Sequence, residues 1–376
     1  MIGKFLGDRL HLARVFQGMS LQELGDTVSA SRQYIQQIEN NSKSPARDMI
    51  AALAQALNVE PEFFSMPIEG MVTEEQCHFR SLKTTPASLK LQARARGTLF
   101  DKFAQCLDEF LDLPAVNFPE FDKIDGANDI ERAAEQCRNH WGLGIKSPIT
   151  NMVRVLENAG ALITYFSDIS EKIDAFSMQR NRPLIIRNPS KESACRMRFD
   201  LAHECGHIVM HEGIETGDTK TESEANRFAS AFLLPRAAFL NEFGFLASTH
   251  HIPWKKIYDL KIRWKVSNAA IIRRAYDLSL IDPIQYRNAN IYLRKSGQAK
   301  IEINDDIISK EIPEIIKSSF DVIRNEEKDG ILSIINKMKI RPDFLKKLLG
   351  DYDFKKEDFI RNNEKSNVIN FPTEKR

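Results

Sequence analysis

No stretch of this 376-residue chain approaches the roughly 18 consecutive apolar residues that a membrane-spanning helix needs, so no such span is expected. Cysteine is scarce and scattered. Cys77, Cys106, Cys137, Cys195 and Cys205 are odd in number and include no C-x-x-C pair. That argues against a disulfide framework and for a reduced, cytoplasmic chain. A secretory signal is also missing: the opening MIGKFLGDRLHLARVF is broken by charges before an apolar segment can form. Net charge is only +1, so overall charge points to neither nucleic acid nor a membrane surface. What remains is the composition of a soluble globular protein, long enough for about two to three domains.

One stretch stands apart, Phe199 to His211, FDLAHECGHIVMH. It contains His203-Glu204-Cys205-Gly206-His207, an H-E-x-x-H. On a helix the two histidines share one face, one turn apart. Imidazoles so placed can reach one Zn²⁺ at about 2.0–2.1 Å. Glu204 then lies beside the metal, free to act as general base on a water there. Asp200 is the expected N-cap, and Leu201, Ile208 and Val209 the apolar face. Gly206 in mid-helix costs roughly 1 kcal/mol against Ala, so a tight backbone approach is expected there. A chance match on a buried helix is the alternative, but two core histidines would then need other partners.

A catalytic zinc takes three protein ligands and keeps one position open. After a loop at Gly213 to Thr221, the segment ESEANRFASAFLLP supplies two candidates. Ala225, Phe228, Ala229 and Phe232 form the i, i+3, i+4, i+7 stripe of a helix with a buried face. Glu222 and Asn226 share another face. Glu224 is the competing ligand, two positions away. Choosing Glu222 completes a His₂Glu set and leaves Asn226 to hydrogen-bond a ligating histidine.

Upstream, residues 1–67 read as five short helices. Ser20 and Glu23 form a capping box, and Ser31 caps the helix that follows. Two short helices joined by a tight turn inside a small bundle make a helix-turn-helix. MSLQELGDTVSASRQYIQQIENNSKSPA resembles the phage Cro and repressor type. The resemblance implies DNA binding through residues 20–43. Ser31, Arg32, Gln33 and Gln37 would face bases, and Asn40 and Lys43 the backbone; Arg and Gln suit guanine and adenine. A homodimer is open to such a domain. Ser29 departs from the family, which usually has Gly in the turn. Six basic against seven acidic residues also make a weak electrostatic footprint, so a bundle for protein contact is the alternative.

Residues 68–125 form a basic helical connector, with a helix expected over Leu99 to Leu113. Arg80, Lys83, Lys90, Arg94, Arg96 and Lys102 either meet phosphates or form a solvated face. A domain over 126–250 follows. It has helices at ANDIERAAEQCRNHWGLG and at Ile149 to Ala159. Strands are expected at Ala161 to Phe166, Ile173 to Met178 and Pro183 to Arg187, then the metal helix. That order suits a small zinc-peptidase domain, in which an edge strand by the metal lets a substrate add as a further strand.

RPLIIRNPSKESACRMRFDLAHECGHIVMHEG followed by ESEANRFASAFLLP resembles the ImmA/IrrE family of metallopeptidases, over roughly residues 5 to 285. The resemblance implies a zincin-like fold and Zn²⁺ held by His203, His207 and Glu222, with Glu204 as general base. It also implies a protein substrate: a transcriptional repressor that is cleaved or inactivated to induce stress or mobile-element genes. No oxyanion stabiliser is evident, since His211, Arg196 and Arg198 each have structural explanations.

Residues 251–300 form a second helix-turn-helix-like pair, with Ser267 as an N-cap. Eleven basic against three acidic residues between 252 and 300 make this the most basic region. It is either a further DNA footprint or a helical extension with a basic outer face. Residues 301–362 are expected to be helical, at Ile312 to Arg324, Gly330 to Met338 and Pro342 to Leu349. The polar tail, 363–376, is expected to be disordered. The fold class is therefore mainly α with a small β-sheet, α+β. An all-α helix-turn-helix domain precedes a zincin-like α+β domain and a helical C-terminal region. The expected function is a zinc endopeptidase acting on a repressor. The alternatives are a transcriptional regulator or antitoxin-like DNA-binding protein with a structural or inactive metal site, and an N-terminal module that is itself cleaved.

Overall fold

Side-chain caps start two of the first four helices. The computed structural model describes residues 3–67, 70–73, 76–79, 86–121, 124–165, 175–188, 193–214, 216–244, 252–326, 330–350, 352 and 354–359. In it α1 spans Gly7–Gln17, α2 Leu21–Thr27, α3 Arg32–Glu39 and α4 Arg47–Ala56. Ser20 Oγ accepts from the Glu23 N–H at 3.1 Å, and Glu23 Oε2 accepts from the Ser20 N–H at 2.7 Å. Ser31 Oγ accepts from the Tyr34 N–H at 3.1 Å and starts α3. A 3-10 helix, Pro61–Ser65, follows α4. The expected tail, 363–376, lies outside the described residues.

The chain forms two units. The first comprises Met1–Ile68, Lys102–Leu111 and Lys317–Arg376, the second Glu69–Asp101 and Asp112–Ile316. The core of the first includes Leu10, Ala13, Leu24, Ile35, Ile38, Leu53 and Phe64, all fully buried. Several of its charges are turned inward. Glu39 accepts from Arg14 Nε at 2.6 Å and Nη2 at 2.9 Å, with His11 Nδ1 at 3.0 Å. Burial works to raise the Glu39 carboxyl, but Arg14 and His11 hold it below the usual range. The domain's count of charges is therefore a poor guide to the face it presents.

The C-terminal helices complete this same unit. Val59 bridges Ile340, the Glu60 N–H donates to Lys339 O at 2.9 Å, and the Arg341 N–H donates to Asn58 O at 3.0 Å. Phe344, on helix Pro342–Leu349, stacks near Phe16 with ring centroids 4.3 Å apart. The two ends of the described chain thus share one core.

The turn between α2 and α3 explains the departure at Ser29. Its φ is +55°, in the left-handed region where a Cβ is strained by about 1–2 kcal/mol. Ser29→Gly should therefore stabilise this unit by up to about 1 kcal/mol, the relief being partly offset by glycine's extra unfolded-state entropy. The midpoint of urea unfolding checks it, and a lower midpoint would show that the serine is not strained.

In the second unit a four-stranded sheet runs β1 (Cys77–Phe79), β3 (Ala175–Met178), β4 (Leu184–Arg187), β2 (Leu162–Tyr165). β1–β3 and β3–β4 are antiparallel, and β2–β4 is parallel. The edge strand β1 comes from the segment read as a helical connector. The helix there, α5, spans Ala87–Phe110, starting a dozen residues before the expected Leu99. Gly97 lets it lie close to the sheet, since a Cβ there would sit 2.3 Å from Met178 Sδ. Of the connector's basic residues, Arg96 is buried and Arg94 Nε donates to Val72 O at 3.0 Å. Arg80 and Lys83 lie outside the described residues.

Helices α6 (Ala127–His140), α7 (Met152–Asn158), α8 (Ala194–Met210), α9 (Thr219–Leu233) and α10 (Arg236–Phe243) build the layer that carries the motif. α11 (Trp254–Trp264), α12 (Asn268–Asp277) and α13 (Pro283–Lys295) follow. Ser267 caps α12 as expected, accepting from the Ala270 N–H at 3.1 Å. Ile257, Trp264, Val266, Ile271 and Ile272 belong to the same buried cluster as Ile185, Ala202 and Phe228. Four of the eleven basic residues of 252–300 have acidic partners in the described ion pairs. Lys261 meets Glu302 and Asp305, Arg263 meets Glu242, Arg273 meets Asp277, and Arg274 meets Glu131. Glu302 also accepts from the Asn268 and Ala269 N–H groups, and Glu311 from those of Met152 and Val153. Glu302 and Glu311, from the C-terminal region 301–362, thus satisfy the N-termini of two helices of this unit. The described residues are mainly helical with one small sheet, the α+β class expected. No described helix is long and apolar enough to cross a membrane.

Candidate metal centre and recognition helix

α8 starts earlier than Asp200 suggested. Its N-cap is Ser193, and Asp200 lies inside the helix, buried to 5% exposure. The extra turns are anchored: Arg198 Nη2 donates to Ile149 O at 2.7 Å and its Nη1 meets Glu311, while Arg196 donates to Ala299 O. These contacts match the bracing role expected of both arginines. Gly206 answers to a close helix crossing. A Cβ there would sit 3.0 Å from the Phe228 ring on α9. A side chain at 206 would push α9 away from α8.

That crossing brings three ligand-type atoms together. His203 Nε2 and His207 Nε2 are 3.0 Å apart, and the Glu222 carboxylate lies 3.4 Å from the first and 3.3 Å from the second. All three lie within 4.8 Å of one another. Donors about 2.0–2.2 Å from a shared tetrahedral ion would be separated by roughly 3.3 Å. The far side of each ring is occupied. His203 Nδ1 is 3.1 Å from Asn226 Oδ1, an acceptor, so the proton sits on Nδ1 and the lone pair on Nε2. His207 Nδ1 is 2.9 Å from His211 Nδ1. Two imidazole nitrogens and a carboxylate converging on one point form a donor set that a cation would satisfy. The donor set of two imidazoles and one carboxylate fits a divalent metal with a further position open.

Both histidines are fully buried and Glu204 is 1% exposed. Burial pushes the Glu204 carboxyl up to about 7, with His203 pulling the other way. Burial also works to raise Glu222, but the two imidazoles outweigh it and hold that group at about 2. Glu204 Oε2 and Glu222 Oε1 are buried without a hydrogen-bond partner. These two carboxylate oxygens, on α8 and α9, belong to the residues beside the imidazole pair, where a bound cation would satisfy them. Two cavities lie along α8 and α9, and the first reaches the triad through Glu222. One, of about 430 Å³, is lined by Phe199, Glu222, Asn226, Arg227 and Arg273 among others. The second, of about 820 Å³, is lined by Phe118, Phe121, Ile208, His211 and Glu224 among others.

Glu204, His203, His207, Glu222 and Asn226 are therefore brought together. Glu224 has a separate place: its Oε2 is 3.1 Å from His211 Nε2. His211 went unassigned in the sequence. The signal was available, because 203, 207 and 211 continue one i, i+4 row. Burial lowers the His211 pKa, with Glu224 opposing.

On α3 and its flanks, Ser31, Arg32, Gln33, Asn40 and Lys43 are exposed, and Gln37 is half-buried. Gln37 O accepts from the Ser42 and Lys43 N–H groups, which shapes the turn after α3. The acidic residue of α3, Glu39, is buried, so this face carries Arg32 and Lys43 unopposed from its own helix.

Fold and site together define a helix-turn-helix joined to a metallopeptidase-like α+β domain. Residues 10–64 match the family described as Helix-turn-helix, and residues 156–276 match the peptidase family described as IrrE N-terminal-like domain. The two matches fit the ImmA/IrrE plus helix-turn-helix architecture that the motifs indicated. The transcriptional regulator ClgR of Mycobacterium tuberculosis (strain ATCC 25618 / H37Rv) is 29% identical over 102 residues, 27% of this chain and 83% of the relative. ClgR of strain CDC 1551 / Oshkosh gives the same values.

Proposed function

We propose that this chain is a zinc-dependent endopeptidase that cleaves or otherwise inactivates a transcriptional repressor, and so controls stress or mobile-element genes. The observation that carries it is the convergence of His203 Nε2, His207 Nε2 and the Glu222 carboxylate beside a buried Glu204. His203, His207 and Glu222 would hold Zn²⁺. Zinc bound there supplies Lewis-acid polarisation of the scissile carbonyl and acidifies the attacking water. Glu204 takes the proton of that water and returns it to the departing amine nitrogen. Asn226 holds the His203 ring through Nδ1. The buried helices keep these groups fixed and limit the water that reaches them.

The zinc-loaded protein incubated with a repressor encoded by a neighbouring gene should yield two fragments, whose new termini mark the cut. Chelation should stop the reaction and added zinc restore it. A protein that binds no zinc, or a cut that survives chelation, would sink the reading.

A second role is supported by the exposed α3 face and the helix-turn-helix match: sequence-specific DNA binding, with the domain acting as regulator or delivering the peptidase to DNA-bound repressor. Ser31, Arg32, Gln33 and Gln37 would read bases, and Asn40 and Lys43 the backbone. Arg32→Ala or Gln33→Ala should weaken binding to the preferred operator by about 1–3 kcal/mol each and relax selectivity at one base position. Selection from a random duplex pool, followed by titration, measures both. Equal loss on every sequence would assign these residues to the phosphate backbone instead.

A further inference from the structure

We propose that His211 and Glu224 act as a positioning pair for His207: Glu224 sets the proton order of the two histidines, so that His207 keeps a free lone pair on Nε2. This rests on the metal-site reading above. His207 can ligate through Nε2 only if its own proton is on Nδ1. The neighbour of that Nδ1, at 2.9 Å, is His211 Nδ1. Two imidazole nitrogens at that distance share one proton, and either ring can own it. If His211 owned it, the His207 proton would move to Nε2 and the ligand would be lost. Glu224 breaks the symmetry. Its Oε2, 3.1 Å from His211 Nε2, is placed to accept a hydrogen bond from that nitrogen. It therefore draws the His211 proton to Nε2 and leaves His211 Nδ1 as the acceptor for His207.

The arrangement is held rigidly. His207 and His211 lie one turn apart at the end of α8, Glu224 lies on α9, and His211 is 3% exposed. The other ligating histidine is held by an amide, Asn226. The two rings are thus oriented by different means. The bland account, a core histidine satisfied by a nearby carboxylate, explains burial. It does not explain why the acceptor nitrogen of that histidine faces the outer nitrogen of a ligand.

The test is zinc affinity of the full chain, measured by competition with a chromophoric chelator, for wild type, His211→Ala, Glu224→Ala and Glu224→Gln. Partners of this kind change affinity by about 10–100-fold. His211→Ala and Glu224→Ala should fall in that range. Glu224→Gln, which keeps an acceptor but loses the charge that fixes the proton order, should fall between Glu224→Ala and wild type. Cobalt-substituted protein should show a changed visible spectrum in the same order. Thermal melting of the metal-free forms should stay near wild type, which separates the effect from folding. Should His211→Ala fail to fold, the partly exposed Glu224 carries the test through its two variants. Unchanged affinity and spectrum in the Glu224 variants would overturn the inference and leave the metal site standing. A wild type without zinc would overturn both.

Discussion

Replacing Glu204 by glutamine should lower repressor cleavage by roughly 10²–10⁴-fold, the usual contribution of a positioned general base, while zinc content stays at the wild-type level. Glutamine keeps the volume and one acceptor oxygen but cannot take a proton. It is also a mild change for the fold. Glu204 is 1% exposed, and a neutral amide is less costly to bury than an ionised carboxylate. Loss of activity with folding and metal intact would therefore report chemistry and not damage. Because Glu204 is not among the three converging ligand-type atoms, zinc affinity is the internal control. A variant that cleaves at the wild-type rate would remove Glu204 from the reaction. A variant that loses zinc would make Glu204 part of the metal's support instead. Operator binding through α3 should be untouched in either case.

What could be read from the sequence was what repeats over short distances. The i, i+4 spacing of His203 and His207 and the capping of α2, α3 and α12 depend on neighbours one turn away. Glu222 was reachable because Asn226 shares its face. Contacts between distant segments were not legible. Nothing near Val59 announces its bridge to Ile340, and nothing in the connector announces that Cys77–Phe79 becomes an edge strand. Charge counting failed for a related reason. Three of the eleven cations of 252–300, Lys261, Arg263 and Arg274, are answered by Glu131, Glu242, Glu302 and Asp305, all outside the stretch in which the excess was counted. Asp200 misled as an N-cap because the apolar pattern of α8 continues upstream through Ala194, Cys195 and Met197, all buried. Ser29 shows the reverse case. It departs from its family's glycine, yet the backbone keeps the left-handed turn that the glycine would serve.

Glu131→Ala should destabilise the second unit by about 3–5 kcal/mol, because it strands a buried charge. Arg274 is fully buried on α12. Its Nη1 and Nη2 donate to the two Glu131 oxygens at 2.5 and 2.7 Å, and its Nε donates to Leu234 O at 3.0 Å. Truncating Glu131 leaves a guanidinium in the core with one carbonyl for company. The pair's own attraction is not what is lost, because bringing two charges out of water cancels much of it. The loss comes from stranding one of them. Glu131→Ala combined with Arg274→Met should therefore recover most of the stability, although each changes a buried residue. Urea unfolding followed by tryptophan fluorescence compares the four forms, since Trp264 lies in the same core cluster. If the double variant were as unstable as Glu131→Ala alone, the pair would be stabilising in its own right and not merely mutually dependent. The position matters for function as well. The pair ties α6 to α12, and the Arg274 bond to Leu234 holds the chain just after α9, the helix that carries Glu222. A softened α9 should loosen the converging donor set, so zinc affinity in Glu131→Ala should fall together with stability and return with the second substitution.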